Sequence, residues 1–163
     1  MTPELTRPFL VEKLSDGTRV QVDADPGERA AVAERLGLPA IAHLTCGFTL
    51  RRVTAGVLAA RGHLHARVTY LCVITLEPFD SLIDEKFTVR FVPEGQETDD
   101  LELDAEDEIP YAGGAIDLGE ATAEQLALAL DPFPRKPAAE LPAAARDAAG
   151  PFAALARLKG GRA

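Results

Sequence analysis

The chain has 163 residues, 47% of them hydrophobic and 26% charged, with a formal net charge of −9. That length suits one domain of roughly 100–150 residues plus a tail, and the apolar content is enough for a core. Two cysteines exclude a disulfide scaffold, no run of about 18 apolar residues offers a membrane span, and the charged start MTPELTRPFLVEK lacks a signal peptide's apolar centre, so a soluble cytoplasmic protein is expected.

Residues 9–23 read as two short strands around the turn signal Ser15-Asp16-Gly17. Asp25-Pro26-Gly27-Glu28 then supplies an N-cap aspartate, a proline at the first helical position and a capping-box glutamate. With Gly37 as a stop, this predicts a helix near 26–36. Over 41–53 the even positions Ala42, Leu44, Cys46, Phe48 and Leu50 are apolar and the odd ones include His43, Thr45, Thr49 and Arg51, the period of a half-buried strand. Over 57–76 the even positions Leu58, Leu64, Val68, Tyr70, Cys72, Ile74 and Leu76 are apolar, while Arg61, His63, His65, Arg67 and Thr69 are odd. The two runs share faces if Val53 pairs with Val57 across Thr54-Ala55-Gly56, with Gly56 at positive φ; a two-residue loop would set core positions opposite solvent positions. A third strand, 85–92, buries Phe87, Val89 and Phe91 and exposes Lys86, Thr88 and Arg90.

Nine acids fall within 94–108, which hold no base, so the rest of the chain carries no net charge and can offer a basic patch despite the overall acidity. After the turn Tyr111-Ala112-Gly113-Gly114, Thr122 and Gln125 read as a capping box for a helix over 122–130, ended by Asp131-Pro132-Phe133-Pro134. From Arg135 the chain is alanine-rich and proline-punctuated, and only Phe152, Leu155 and Leu158 restore a helical apolar spacing. The fold class expected is α+β: a curved, mainly antiparallel sheet of about five strands with two packed helices. The domain spans 1–135 with an acidic loop at 93–110, and an Ala/Pro-rich tail, 136–163, carries a short apolar motif at 151–159.

His63 and His65 share a strand face, but Cys72 has the opposite parity, so one strand cannot present all three to an ion, and His43 could add only a further histidine across the hairpin. No metal site is expected. The same odd face collects Arg51, Arg61, His63, His65 and Arg67, joined by Lys86 and Arg90. It is either a solvated face balanced by the acidic segment or a cationic stripe that follows phosphates, without aromatic residues to stack bases. The carboxylates Asp99, Asp100, Glu102 and Asp104 lack the glycine and terminal glutamate of a calcium loop, leaving a solvated loop or a docking site for a basic protein. Phe152, Leu155 and Leu158 form a second candidate docking motif. There is no nucleophile elbow, phosphate loop, dinucleotide fingerprint or HExxH, so neither catalytic residues nor a cofactor nor a small-molecule substrate is expected.

Four stretches in one order carry a family resemblance: GVLAARGHLHARVTYLCVITLEP from Gly56 to Pro78, Phe87-Thr88-Val89-Arg90-Phe91, IDLGEATAEQLALALDPFPRKP from Ile116 to Pro137, and Pro151-Phe152-Ala153-Ala154-Leu155-Ala156-Arg157-Leu158-Lys159. Together they resemble the YceD family of large ribosomal RNA subunit accumulation proteins, in a form similar to its alphaproteobacterial branch. The resemblance implies support of large-subunit (23S) ribosomal RNA accumulation in ribosome biogenesis, without known catalysis. The partner would be pre-ribosomal large-subunit RNA or, alternatively, a basic ribosomal protein held by an acidic adaptor or chaperone. Many members carry Cys-x-x-Cys at the end of the long strand and another cysteine after the proline turn, which looks like a metal site. Here Cys72 matches the first position, Thr75 stands at the second, and residues 132–140 hold no cysteine.

Overall fold

Alternating strand sequence dominates the chain, and the computed structural model, which describes residues 3–98 and 106–139, turns it into seven strands and two helices among those residues. In order these are β1 (Pro8–Leu10), a 3-10 turn (Val11–Lys13), β2 (Thr18–Asp23), α1 (Pro26–Leu36), β3 (Ala40–Thr54), β4 (Val57–Leu71), β5 (Pro78–Pro93), β6 (Asp107–Tyr111), β7 (Ala115–Asp117) and α2 (Leu118–Ala129). The main sheet runs β2-β3-β4-β5-β6, antiparallel except for the parallel β5–β6 edge, and β1 pairs with β7 as a separate ladder. The fold is therefore α+β, with a mostly antiparallel five-stranded sheet and two helices. Neither helix is long and apolar enough to cross a membrane.

The α1 signals are realised as written. Asp25 accepts from the Glu28 N–H and Glu28 accepts from the Asp25 N–H, both at 2.8 Å, and Gly37 ends the helix at φ 68°. The β3–β4 register also follows the parity argument, with Leu50 opposite Ala60, Phe48 opposite Gly62 and Leu44 opposite Ala66. The turn that achieves it differs. Thr54 pairs with Val57 around the two residues Ala55 and Gly56, and a bulge between Arg52 and Thr54 absorbs the extra residue, restoring the expected faces from Arg52 onward. Gly56 sits at φ 80°, a Cβ there would lie 3.0 Å from Pro93 Cγ, and its carbonyl accepts the Tyr111 hydroxyl. A second bulge between Ile41 and His43 inverts the alternation, so Ile41 is buried and Ala42 exposed, against the even-position reading.

Other expectations are corrected by long-range pairing. The two segments around Ser15-Asp16-Gly17 do not pair with each other: β1 joins β7 and β2 joins β3. β4 stops at Leu71, and Leu76 lies in the following turn at φ 59°, exposed. β5 starts at Pro78 rather than near residue 85 and pairs with β4 along its length. The acidic run passes into strand at Asp107, so residues 107–110 are strand rather than part of an acidic loop. α2 begins at Leu118, capped by Asp117, whose carboxylate accepts from the Gly119 and Glu120 N–H groups. Thr122 is not a cap; it is buried inside the helix and donates to the Leu118 carbonyl at 2.7 Å.

One sheet face carries the core. Phe48, Leu50, Leu58, Leu64, Val89 and Phe91 are buried there with Leu118 and Leu126 of α2 and Val32 of α1, and each contributes about 1.5–3 kcal/mol. Gly62 lies between Phe48 and Phe87 in one cross-strand row. The Phe87 ring covers the space a side chain would take and meets Phe48 edge-on, centroids 5.8 Å apart. That arrangement turns Phe87 inward and leaves the opposite face of β2–β5 polar.

Candidate nucleic-acid interface

Strand alternation sets the chemistry of the outer face, and register sets its neighbours. Reading across β2, β3, β4 and β5, successive rows are Arg51–Ala59–Arg90, Arg19–Thr49–Arg61–Thr88, Gln21–Gly47–His63–Lys86, Asp23–Thr45–His65–Asp84 and His43–Arg67–Leu82. All seven cationic or imidazole residues singled out from the sequence, Arg51, Arg61, His63, His65, Arg67, Lys86 and Arg90, therefore lie on one face. Arg51, Arg61 and Lys86 fall on a diagonal through three adjacent strands, each about 7–8 Å from the next. Beside this diagonal is a shallow depression of about 580 Å³, lined by Gly47, Thr49, Arg61, His63, Lys86 and Thr88 among others. A second, of about 540 Å³, is bordered by Arg51, Arg61 and Glu106.

The face is not uniformly basic. Asp84 joins both histidines, with His63 Nε2 to Oδ1 at 2.5 Å and His65 Nδ1 to Oδ2 at 3.4 Å. The hydrogen bond from His63 holds the Asp84 carboxyl below its ordinary range. Arg67 lies 3.8 Å from Asp80, and Arg90 lies 3.6 Å from Glu106. Arg19, Arg51, Arg61 and Lys86 have no acidic partner within ion-pair distance among the described residues. Arg19, Asp80 and Asp84 were not among the sequence candidates. Arg19 could have been found from the alternation of Val20 and Val22 with Arg19, Gln21 and Asp23, but the two aspartates belong to the half of β5 whose pattern is broken.

The base of the acidic segment sits at the edge of this face. Glu108 accepts from the Thr98 N–H at 2.7 Å and hydroxyl at 2.8 Å, clasping the two ends of the intervening chain. Asp99, Asp100, Glu102 and Asp104 lie outside the described residues, as do Phe152, Leu155 and Leu158.

Just beyond the end of β4, Cys72 is fully buried, and Cys46 is buried too. The Cys72 sulfur accepts from the Thr75 N–H at 3.5 Å, and the Val73 N–H donates to the Pro134 carbonyl at 2.9 Å. Burial disfavours the Cys72 thiolate, but hydrogen bonds from Thr75, Lys136 and Ile74 outweigh it and bring the thiol down to about 7. The turn and the proline segment thus meet where the family resemblance marks a metal site. A single thiol beside a threonine does not fit such a metal, because the remaining donors are missing.

A family model described as "Large ribosomal RNA subunit accumulation protein YceD" matches residues 60–159, which include β4 from Ala60 onward, β5 and α2; residues 1–59 lie outside the match. No curated protein and no solved structure matches the chain. With the matched region covering more than half of the sequence, and with the same region contributing Arg61, His63, His65, Arg67, Lys86 and Arg90 to the outer face, the chain belongs to the YceD family, whose description is accumulation of the large ribosomal RNA subunit.

Proposed function

We propose that the protein is a non-catalytic ribosome-biogenesis factor that supports accumulation of large-subunit (23S) ribosomal RNA by holding RNA through its phosphates on the outer sheet face, in the cytoplasm. The observation that carries this reading is the diagonal of Arg51, Arg61 and Lys86 without intramolecular acidic partners among the described residues. A cation with no acidic partner among the described residues can displace counterions from a phosphate backbone. Thr49 and Thr88 add hydroxyl donors between the charges. No Phe or Tyr lies in these outer-face rows, so the contact is to backbone rather than to stacked bases. His63, His65, Arg67 and Arg90 are peripheral to it, since each faces a carboxylate.

A second reading, an adaptor for a basic ribosomal protein, is favoured by the Thr98–Glu108 clasp, which sets Thr98 and Glu108, on either side of the acidic run, at the edge of the cationic face. In-cell photocrosslinking separates the two. A photoreactive residue at Thr49 or Thr88 should capture large-subunit RNA. One at Asp100 or Glu102 should capture a ribosomal protein only if the adaptor reading holds. Protein adducts alone from the sheet positions would reject direct RNA contact.

A further inference from the structure

We propose that His63, His65 and Asp84 form a binding site for one divalent transition-metal ion, zinc or its neighbours cobalt, nickel and copper. The two histidines are two residues apart on β4 and project from one face, and Asp84 stands on β5 directly opposite His65. His63 Nε2 and His65 Nδ1 already address different oxygens of the same carboxylate, and the three donor atoms lie within 4.8 Å of one another. Donors at zinc-ligand distances of about 2.0–2.1 Å in a tetrahedron are roughly 3.3 Å apart, so a small rotamer change gathers these three around an ion. Strands β4 and β5 pair continuously through this region, which fixes the backbone positions of all three ligands without a loop.

The ligand chemistry selects the ion class. Two borderline imidazole nitrogens with one hard carboxylate oxygen suit zinc, cobalt, nickel and copper, whereas calcium and magnesium take all-oxygen sets. The side chains of His63, His65 and Asp84 keep 38%, 46% and 65% of their surface in solvent, so an ion enters directly and retains positions for water or another oxygen ligand. Lys86, opposite His63, is the opposing term: its positive charge adjoins the site and lowers cation affinity. Cys72 plays no part because it is buried beyond the end of β4, seven residues past His65. The site is independent of the RNA reading, since it is tested on the protein alone.

The test is titration of the full chain with Zn²⁺ by calorimetry and with Co²⁺ by absorption. One equivalent is expected, with cobalt bands that lack thiolate charge transfer. His63→Ala, His65→Ala and Asp84→Asn should each weaken binding about tenfold or more, because every ligand is one of only three. Lys86→Met should tighten it severalfold, and Cys72→Ser should leave it unchanged. The three ligands are exposed, so circular dichroism should show the variants folded. No bound ion, loss of binding in Cys72→Ser, or unchanged affinity in a His65→Ala/Asp84→Asn double variant would overturn the assignment.

Discussion

Among the described residues, two pairs of arginines stand in contrast. Arg7 places both terminal nitrogens on the Glu28 carboxylate at 2.7 and 2.9 Å and also donates to the Thr6 and Asp23 carbonyls, tying the N-terminal segment to α1. Arg35 does the same for the helices, reaching Glu120 with two nitrogens and Glu4 with one. In both cases the hydrogen-bonded carboxylate raises the guanidinium pKa further. Arg51 and Arg61, equally charged but set on strands β3 and β4, have no such carboxylate among the described residues. Arg67 and Arg90, with acids at 3.8 and 3.6 Å, stand between the groups. A count of cations in a sequence therefore does not define a binding surface; what the neighbouring strand sets beside each one does.

The largest expected effect breaks the pair on the outer sheet face. Arg51→Glu with Arg61→Glu should weaken binding of large-subunit RNA fragments about hundredfold at moderate salt, with unchanged melting temperature, because both side chains point away from the core. The milder alanine pair should reduce the salt slope by roughly 1.4–1.8, about 0.7–0.9 per lost phosphate contact. Fluorescence anisotropy across a salt series measures both, and an unchanged slope would remove RNA from this face. The committed group should respond in the opposite sense. Arg7→Ala should cost about 1–2 kcal/mol in urea unfolding, held at this level by the partial exposure of the pair, and should leave RNA affinity within about twofold.

The Arg7 neighbourhood also titrates. Burial alone would raise the Asp117 pKa, but hydrogen bonds from the Thr6 hydroxyl and from the N–H groups of Arg7, Glu120 and Gly119 bring it below its ordinary value. A depressed carboxyl stabilises the fold above its unfolded pKa, near 4, and that stability is lost as pH falls through the lower folded value. Asp117→Asn should therefore be less stable than the parent at neutral pH, at the low end of the about 0.5–2 kcal/mol typical of helix caps, and the two should converge in acid. Urea midpoints measured down a pH series test this; a constant gap would mean that Asp117 is not the titrating group.

Legibility in the sequence followed how local each determinant was. α1 was readable because its cap, its first-turn proline and its glycine stop are all contiguous. The β3–β4 faces were readable because parity over long runs leaves one consistent register, even though the bulges at Ala42 and Val53 were not visible. The first half of β5 was hidden because its inward positions alternate Phe79 and Ile83 with Ser81 and Glu85, leaving no apolar period. That one omission concealed Asp80 and Asp84, and with them the pairing of Arg67 and of both histidines. The sequence points to a late start for α2 because Thr122 and Gln125 have capping-box spacing, whereas the true cap is an aspartate whose partners include Thr6 and Arg7, more than a hundred residues away. The seven cationic and imidazole candidates share one sheet face, as their parity predicts; which of them lack an acidic partner among the described residues depends on contacts across strands.

The smallest expected effect converts a member of the intermediate group. Asp80 lies on β5 diagonal to Arg67, 3.8 Å from its Nε, and also accepts from the Thr69 hydroxyl at 2.8 Å. Both charged side chains are more than half exposed, so the pair adds little to stability. Asp80→Asn keeps an oxygen for Thr69 while removing the charge that faces Arg67. The variant should unfold like the parent and bind RNA about twofold more tightly, because Arg67 then adds to the cationic face and a repulsive carboxylate is gone. Arg67→Ala should cost almost nothing in the parent but about twofold in the Asp80→Asn background. That double-mutant difference isolates the coupling. Equal costs in both backgrounds would show that Asp80 does not restrain Arg67, and the boundary between committed and free cations would then have to be drawn without it.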